Sequence, residues 1–322
     1  MLNENQHPHN RSIVLSVLGV PNAGKSSLIN CFLGIDLSIV SRLPQTTRNR
    51  FNCVFSVDRT EVVMIDTPGL HRSGNEFNVR LNDQAKEAVN GVDINLLLID
   101  LTRPLTAQLE LVTKTLDNAL TRTWVVFTKS DIIKDVESLP IEEMLKMVQS
   151  FVPAAERSFV ISSKKEDRTE ELLGAILDES KEGPHLYPNG DISNKNMRFF
   201  AAEYIREQAF FLLKDELPYE VAVTIDSYKD VIGDGGRHES SKVAATILVN
   251  RPSQRAIVIG KQGSIIKQIG TAAREKLSKL MGVPVHLNLH VKVSPKWQKN
   301  HFIMEELGLP RTQNSRRVWR AK

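Results

Sequence analysis

Residues 19–26 read Gly-Val-Pro-Asn-Ala-Gly-Lys-Ser, a Gly-x-x-x-x-Gly-Lys-Ser spacing. Gly19 and Gly24 permit a tight turn and a close approach of backbone to a ligand. Lys25 offers a point charge to β- and γ-phosphate oxygens, and the Ser26 hydroxyl is a hard oxygen donor suited to Mg2+. The stretch Gly19, Pro21, Asn22, Ala23, Gly24, with Ser26 and Ser27 behind it, would turn backbone N–H groups and a helix N-terminus toward bound phosphates. Asp66-Thr67-Pro68-Gly69 follows the apolar run Val62-Val63-Met64-Ile65. A carboxylate there lies at the ligand edge of a parallel sheet, where it would hold Mg2+ through water. The Gly69 N–H would reach the γ-phosphate, so the segment after it would sense whether that phosphate is present.

A second set of residues suits a purine. Thr128-Lys129-Ser130-Asp131 follows Thr123-Trp124-Val125-Val126-Phe127. Asp131 would accept the guanine N1–H and N2 amine together. Adenine offers neither donor and would leave the carboxylate unpaired, the arrangement that discriminates most strongly between analogues. The Lys129 stem would cover a base face while its ammonium braces the phosphate loop. Ser162, Ser163 and Lys164 end the next strand, where a backbone N–H would meet guanine O6. The polar stretch Ser41-Arg42-Leu43-Pro44-Gln45-Thr46-Thr47-Arg48 suits a loop ordered by Mg2+ and γ-phosphate through one threonine. Thr46 and Thr47 are equal candidates for that role.

These groups need a scaffold. Apolar and β-branched runs predict strands at 12–18, 51–57, 61–66, 94–101, 123–128 and 158–162. Helices are expected at 25–33, 79–90, 105–119, 137–150 and 169–180. Such alternation predicts an α/β fold, a doubly wound and mostly parallel sheet with helices on both faces. The two adjacent strands around Asp58-Arg59 imply one hairpin and one antiparallel edge strand. Pro and Gly crowd residues 183–196, the mark of a linker or a tight connection. Beyond it, helices at 198–213 and 264–280 and strands at 220–229, 241–250 and 284–293 predict a smaller α+β unit.

The chain has 322 residues, enough for about two domains, with 41% hydrophobic and 25% charged residues. Cys31 and Cys53 are the only cysteines, which disfavours a zinc site or a disulfide framework. The first ten residues lack the features of a secretory signal, and no apolar run approaches the length of a membrane span. Net charge is +4, divided as −5 over residues 1–196 and +9 from Met197 onward. A basic second part suits a polyanion, although ordinary surface variation produces such a split too.

In that basic part, Ile259-Gly260-Lys261-Gln262-Gly263-Ser264-Ile265-Ile266-Lys267 contains Gly-x-x-Gly between apolar segments. Glycines there let a nucleic-acid backbone approach, Lys261 and Lys267 add charge, and Ile257, Ile259 and Ile265 would line a groove for about four unpaired bases. By propensity Ala256–Ile259 reads as a strand.

The motifs of the first part, in order, resemble translation-factor-class GTPases. More narrowly, Gly-x-Pro-Asn-x-Gly-Lys-Ser, Gln-Thr-Thr-Arg and Asp-Thr-Pro-Gly-Leu-His resemble the Era family. The second part resembles a type II KH domain, through Gly-x-x-Gly, Glu216-Leu217-Pro218-Tyr219, Pro284-Val285-His286-Leu287 and Trp297. That resemblance implies a short helix, not a strand, before Gly260, with Pro252 in its first turn. It divides the chain into a disordered leader (1–11), a GTP-binding domain (12–182), a linker (183–196), an RNA-binding domain (197–309) and a basic tail (310–322).

The resemblance implies GTP and GDP as ligands and slow intrinsic hydrolysis, because Leu70 stands where other GTPases place a water-orienting Gln. It assigns catalysis to Lys25, Asn22, Thr47 and Gly69, and Mg2+ to Ser26, Thr47 and Asp66. It allows a K+ ion held with the help of Asn22. Implied partners are small-subunit ribosomal RNA near its 3′ end and the assembling small subunit. A monomer in the cytoplasm, with peripheral association at the inner face of the cell membrane, is part of the same expectation. Two positions depart from the family pattern: Thr128 replaces Asn, and Ser162-Ser163 replaces Ser-Ala. The tail, with five basic residues and Trp319, suits phosphate and stacking contacts or simple solubility. A nucleotide-gated RNA scaffold that hydrolyses little is the alternative function. A small-metabolite kinase is the other rival, and Asp131 in its context argues against it.

Overall fold

The computed structural model describes residues 7–40, 47–72, 75–116 and 119–310. The chain divides into two compact units, the first ending at Asn194 and the second beginning at Lys195. The first unit runs β1 (Arg11–Gly19), α1 (Lys25–Leu33), β2 (Phe51–Val57), β3 (Thr60–Asp66), α2 (Glu76–Ala88), β4 (Ile94–Asp100), α3 (Leu105–Leu116), β5 (Thr123–Thr128), α4 (Ile141–Phe151), β6 (Ala155–Val160), α5 (Thr169–Asp178) and β7 (Lys181–Glu182).

Strand order is β2-β3-β1-β4-β5-β6, with β7 paired to β1. β1 lies parallel to β3 and β4, and the parallel run continues through β5 and β6. Only β2, at the edge, and the two-residue β7 run antiparallel. Central strands covered on both faces must be apolar throughout. All seven residues of β4 are buried, as are Leu15, Val17 and Leu18 of β1 and Trp124–Phe127 of β5. Each such side chain contributes on the order of 1.5–3 kcal/mol by leaving water. Parallel pairing brings the C-terminal ends of β1, β3, β4 and β5 to one rim, so Gly19, Asp66, Asp100 and Thr128 become neighbours without being close in sequence.

Several boundaries shift by two or three residues, and three departures bear on the first unit. β1 already begins at Arg11, inside the stretch read as leader, and Asn10 is buried with its carbonyl accepting from Gly183 N–H. α4 starts at Ile141, because Pro140 blocks helix in the residues before it. The Pro- and Gly-rich connection lies along the β2–β3 edge. Glu61, buried on β3, accepts from Leu186 N–H at 2.7 Å and Tyr187 N–H at 3.1 Å. Val54 N–H donates to Ile192 O at 2.9 Å, and Ser193 Oγ donates to Asn52 O at 2.6 Å. Residues 183–194 are thus a strap on the open side of β2, which shields an edge that would otherwise invite pairing.

The second unit holds α6 (Met197–Leu212), α7 (Leu217–Glu220), β8 (Ala222–Ile232), β9 (His238–Val249), α8 (Pro252–Ile259), α9 (Ser264–Met281), β10 (Val285–Val293) and α10 (His301–Glu306). Its sheet has the order β10-β9-β8, antiparallel between β8 and β9 and parallel between β9 and β10. Tyr204, Ile205, Ile247, Val249, Ala273 and Leu277 form its core. Ala256–Ile259 belongs to α8, so the propensity reading of a strand is corrected. Pro252 opens this helix, and the Gln254 side chain accepts from Asn250 and Arg251 N–H at 2.9 and 3.0 Å. Gln254 and Val258 are its buried residues. A start capped by the buried Gln254 side chain, with Val258 one turn on buried in the core, outweighs β-branched propensity over so short a run.

Candidate functional site

β1 delivers the chain to Gly19, and α1 begins at Lys25 with Gly24 in the left-handed region at φ 95°. Lys25 is buried, and its ammonium donates to Gly19 O and Val20 O at 3.1 Å each. Desolvation lowers its pKa to about 8, although the nearby Asp66 carboxylate opposes the shift. The ammonium is thus held by loop carbonyls at the start of α1.

Asp66 ends β3 and is fully buried. Its Oδ2 lies 3.4 Å from both the Ser26 Oγ and the Thr47 Oγ1, and those two hydroxyls are 3.1 Å apart. Asp66 Oδ1 is buried with no hydrogen-bond partner among the described residues. Burial raises the Asp66 pKa to about 6, against the pull of Lys25. Three hard oxygen donors around one point, one of them an under-served carboxylate, fit Mg2+. The structure therefore brings Thr47 together with Ser26 and Asp66, while Thr46 lies outside the described residues.

Gly69 explains its own identity. A Cβ there would stand 2.8 Å from Pro21 Cα and 2.9 Å from Pro21 N, so the segment after β3 rests directly on the phosphate loop. Leu70 N–H donates to Gly19 O at 3.1 Å, and the Leu70 side chain is fully buried in the core. An apolar residue turned inward offers nothing to a water above the loop. Asn22 stands in the left-handed region at φ 63°.

At the end of β5, Thr128 Oγ1 donates to Ala23 O at 2.8 Å, tying this strand to the phosphate loop. Lys129, at φ 66°, turns its ammonium to Asp100 Oδ2 at 2.5 Å. Asp131 Oδ1 accepts from Ser162 Oγ at 2.7 Å, and Ser162 Oγ also receives Lys165 N–H at 3.2 Å. Ser162 bridges in antiparallel fashion to Asp167, which folds Ser163 and Lys164 into the turn beside Asp131. The sequence candidates from both motifs thus meet on one rim.

The second unit presents a different surface. Gly260 (φ 73°) and Gly263 (φ 76°) bracket a turn at Lys261–Gln262. A Cβ on Gly260 would come within 2.9 Å of the Ile265 backbone nitrogen, whereas one on Gly263 would meet nothing nearer than 3.9 Å. Lys261, Gln262 and Lys267 are exposed. Beside the turn lies a cleft of about 280 Å³, lined by Ile266, Lys267, Gly270, Thr271, Arg274, Leu287 and Leu289. Of the residues expected from sequence, only Lys267 lines it. Ile265 packs on the core, and Ile257 faces outward from α8, 53% exposed. The signal that finds the rest is the i, i+4 row Ile266–Gly270–Arg274 on α9 facing alternate residues of β10.

A parallel sheet whose rim carries a phosphate loop, a metal-type oxygen cluster and an Asp aimed from the β5 turn defines a phosphate-loop GTPase, and the second unit defines a KH domain. A family model described as 50S ribosome-binding GTPase matches residues 14–129, and one described as KH domain matches 216–298. The chain is 37% identical over 301 residues to a GTPase Era of Thermotoga maritima, covering 93% of this chain and 97% of that one. It is 36% identical to a GTPase Era of a Geobacter species, covering 92% and 97%. It belongs to the GTPase Era family. Its structure is similar to that of Era in complex with MgGDPNP and nucleotides 1506–1542 of 16S ribosomal RNA, with a TM-score of 0.85, 29% identity and coverage of 94% and 100%. An Aquifex aeolicus Era variant bound to GDP·AlF4− gives 0.84, 30% and the same coverages.

Proposed function

We infer that this chain is a GTP-hydrolysing switch that binds 16S-type ribosomal RNA near its 3′ end and serves small-subunit assembly. The observation that carries the nucleotide half is the meeting of Lys25, Ser26, Thr47 and Asp66 at the mouth of one loop. The RNA half rests on the basic Gly-x-x-Gly turn beside an apolar-floored cleft.

Lys25 would leave the Gly19 and Val20 carbonyls for the β- and γ-phosphates. Ser26 and Thr47 hydroxyls and Asp66 would hold Mg2+, which neutralises charge on the phosphates when bound. Gly69 N–H would reach the γ-phosphate. Asp131 would read the guanine edge, with Ser162 Oγ fixing the carboxylate and the 162–164 turn closing over O6. Leu70 supplies no group to orient water, so positioning and electrostatics must carry a slow intrinsic reaction. Asn22 would help hold K+ as added positive charge beside the phosphates. On the RNA side, Gly260, Lys261, Gln262 and Gly263 would clamp the backbone, with Ile259 and Ile265 setting the turn behind them and Lys267 reaching into the cleft. We place the protein in the cytoplasm as a monomer. Among the described residues no helix is long and apolar enough to cross a membrane.

The direct test is titration with fluorescent GTP and ATP in the presence and absence of Mg2+, followed by gel shift of the 3′ end of 16S RNA with GTP or GDP bound. Saturable, Mg2+-dependent GTP binding and a nucleotide-dependent RNA shift are expected. Equal binding of ATP would overturn the base assignment. Hydrolysis that runs equally fast in sodium and potassium would remove the role of Asn22.

A further inference from the structure

Asp100 and Arg103 belong to none of the nucleotide motifs, yet both sit on the same rim. Asp100 ends β4 and is fully buried. Its Oδ2 takes the Lys129 ammonium at 2.5 Å and the Arg103 Nε at 3.2 Å. Its Oδ1 takes Thr102 Oγ1 at 2.6 Å and Thr102 N–H at 3.0 Å. From the other end of the same guanidinium, Arg103 Nη1 donates to Pro21 O at 2.9 Å. The backbone of Asp100 is itself clamped by the buried Gln108 of α3, which accepts from Asp100 N–H at 3.0 Å and donates to Asp100 O at 2.9 Å.

We propose that Asp100 and Arg103 are positioning residues for guanine nucleotide: the carboxylate aims Lys129 at the base, and the guanidinium ties that same carboxylate to the phosphate loop at Pro21, so that the rate of nucleotide release is set by this bridge. Three arguments support it. A buried carboxylate answered by two cations and two Thr102 donors is over-determined, and groups held that way keep one rotamer. Burial alone would raise the Asp100 pKa, but the hydrogen bonds from Lys129 and Thr102 outweigh it and hold the carboxyl below the usual range, so its charge persists. Lys129 is in a left-handed backbone conformation that non-glycine residues adopt at a cost, which requires a compensating hold on the residue. Arg103 is the group that joins the two halves of the site. A Lys in its place would keep the charge near Asp100 but could not span both acceptors with a planar fork.

The inference rests on the reading of Lys129 as a base-covering residue, and the experiment separates the two. Release of fluorescent GDP is measured from wild-type protein, Asp100→Asn, Arg103→Ala and Arg103→Lys, with steady-state hydrolysis and melting of the nucleotide-free proteins alongside. Asp100→Asn should release GDP ~30-fold faster or more, the low end for breaking a buried hydrogen-bonded charge pair. Arg103→Ala, at a half-exposed side chain, should speed release about fivefold, and Arg103→Lys should recover only part of that. The effect should fall on KM, with kcat at saturating GTP and the melting temperature of Arg103→Ala near wild type. Wild-type protein that fails to retain GDP would bring down the nucleotide reading itself. Wild-type retention with unchanged release from Arg103→Ala would overturn this inference alone, even if Asp100→Asn does not fold.

Discussion

The two candidate surfaces handle polar groups in opposite ways. Around the phosphate loop, Lys25, Ser26, Thr47, Asp66 and Asp100 are buried and hydrogen-bonded to one another or to backbone. Around the Gly-x-x-Gly turn, Lys261, Lys267 and Arg274 are exposed, and only the cleft floor is apolar. A buried network gives selectivity because any mismatched group loses its partner where water cannot replace it. An exposed basic turn tolerates variety and adds affinity in small, salt-dependent steps. The difference teaches that one unit is built to reject wrong ligands and the other to accumulate contacts.

Substitutions in both units sharpen or break that contrast. Asp131→Asn should move preference from guanine to xanthine nucleotides, a swing on the order of 10⁴ read by competition binding. An unmoved preference would place the base elsewhere. Gly69→Ala forces a methyl to within 2.8 Å of Pro21 Cα, so loop and following segment must separate. Hydrolysis should fall on the order of 100-fold, measured by phosphate release, since sub-ångström placement is lost. In the second unit single changes should act more gently. Lys261→Ala and Lys267→Ala should each lower the slope of log affinity against log salt by about 0.7 while leaving GTP binding alone. Gly263→Asp meets no neighbour nearer than 3.9 Å but must hold φ 76°, so Gly263→Ala is run beside it to separate backbone strain from added charge; an unchanged RNA affinity in both would reject the clamp.

A pH series tests burial beside the phosphate loop. His71 is lowered to about 4, first by desolvation and then by the Lys25 charge. Asn82 holds its backbone through both N–H and carbonyl, at 2.9 and 2.8 Å. Because the folded state disfavours the proton, the unfolded chain binds more of it. The His71 contribution to stability should therefore be complete above about pH 6.5 and decline as pH falls toward about 4, by up to about 3 kcal/mol. Asp66, raised to about 6, works in the opposite sense over the same interval, so the His71 part is read in urea melts as wild-type stability minus that of His71→Gln, a difference that should decline as pH falls.

Much of the candidate nucleotide site was legible because its residues are contiguous. Gly19–Ser26, Asp66–Gly69 and Thr128–Asp131 each follow an apolar run, and a parallel sheet brings strand ends to one rim whatever lies between. The cleft of the second unit was not legible to the same degree. Ile257 and Ile265 stand close to the glycines in sequence, but helix geometry turns one outward and the other into the core. Ile266, Gly270 and Arg274 share the cleft face only through the helical repeat of α9, and Leu287 and Leu289 reach it only because β10 lies alongside. The helix over Ala256–Ile259 escaped propensity because β-branched side chains say little about a segment whose capping and buried face decide its form.

By itself the sequence determined the class of fold and the chemistry at each strand end, since alternating apolar runs and Gly-Lys-Ser, Asp-Thr-Pro-Gly and Lys-Ser-Asp are local properties. Only tertiary packing decided that Thr47 meets Asp66, how Gly69 rests on Pro21, and that Asp100 and Arg103 join the turn after β5 to the phosphate loop. Those are contacts between segments far apart along the chain, fixed when the sheet closes and the polar groups on its rim must find partners in one another.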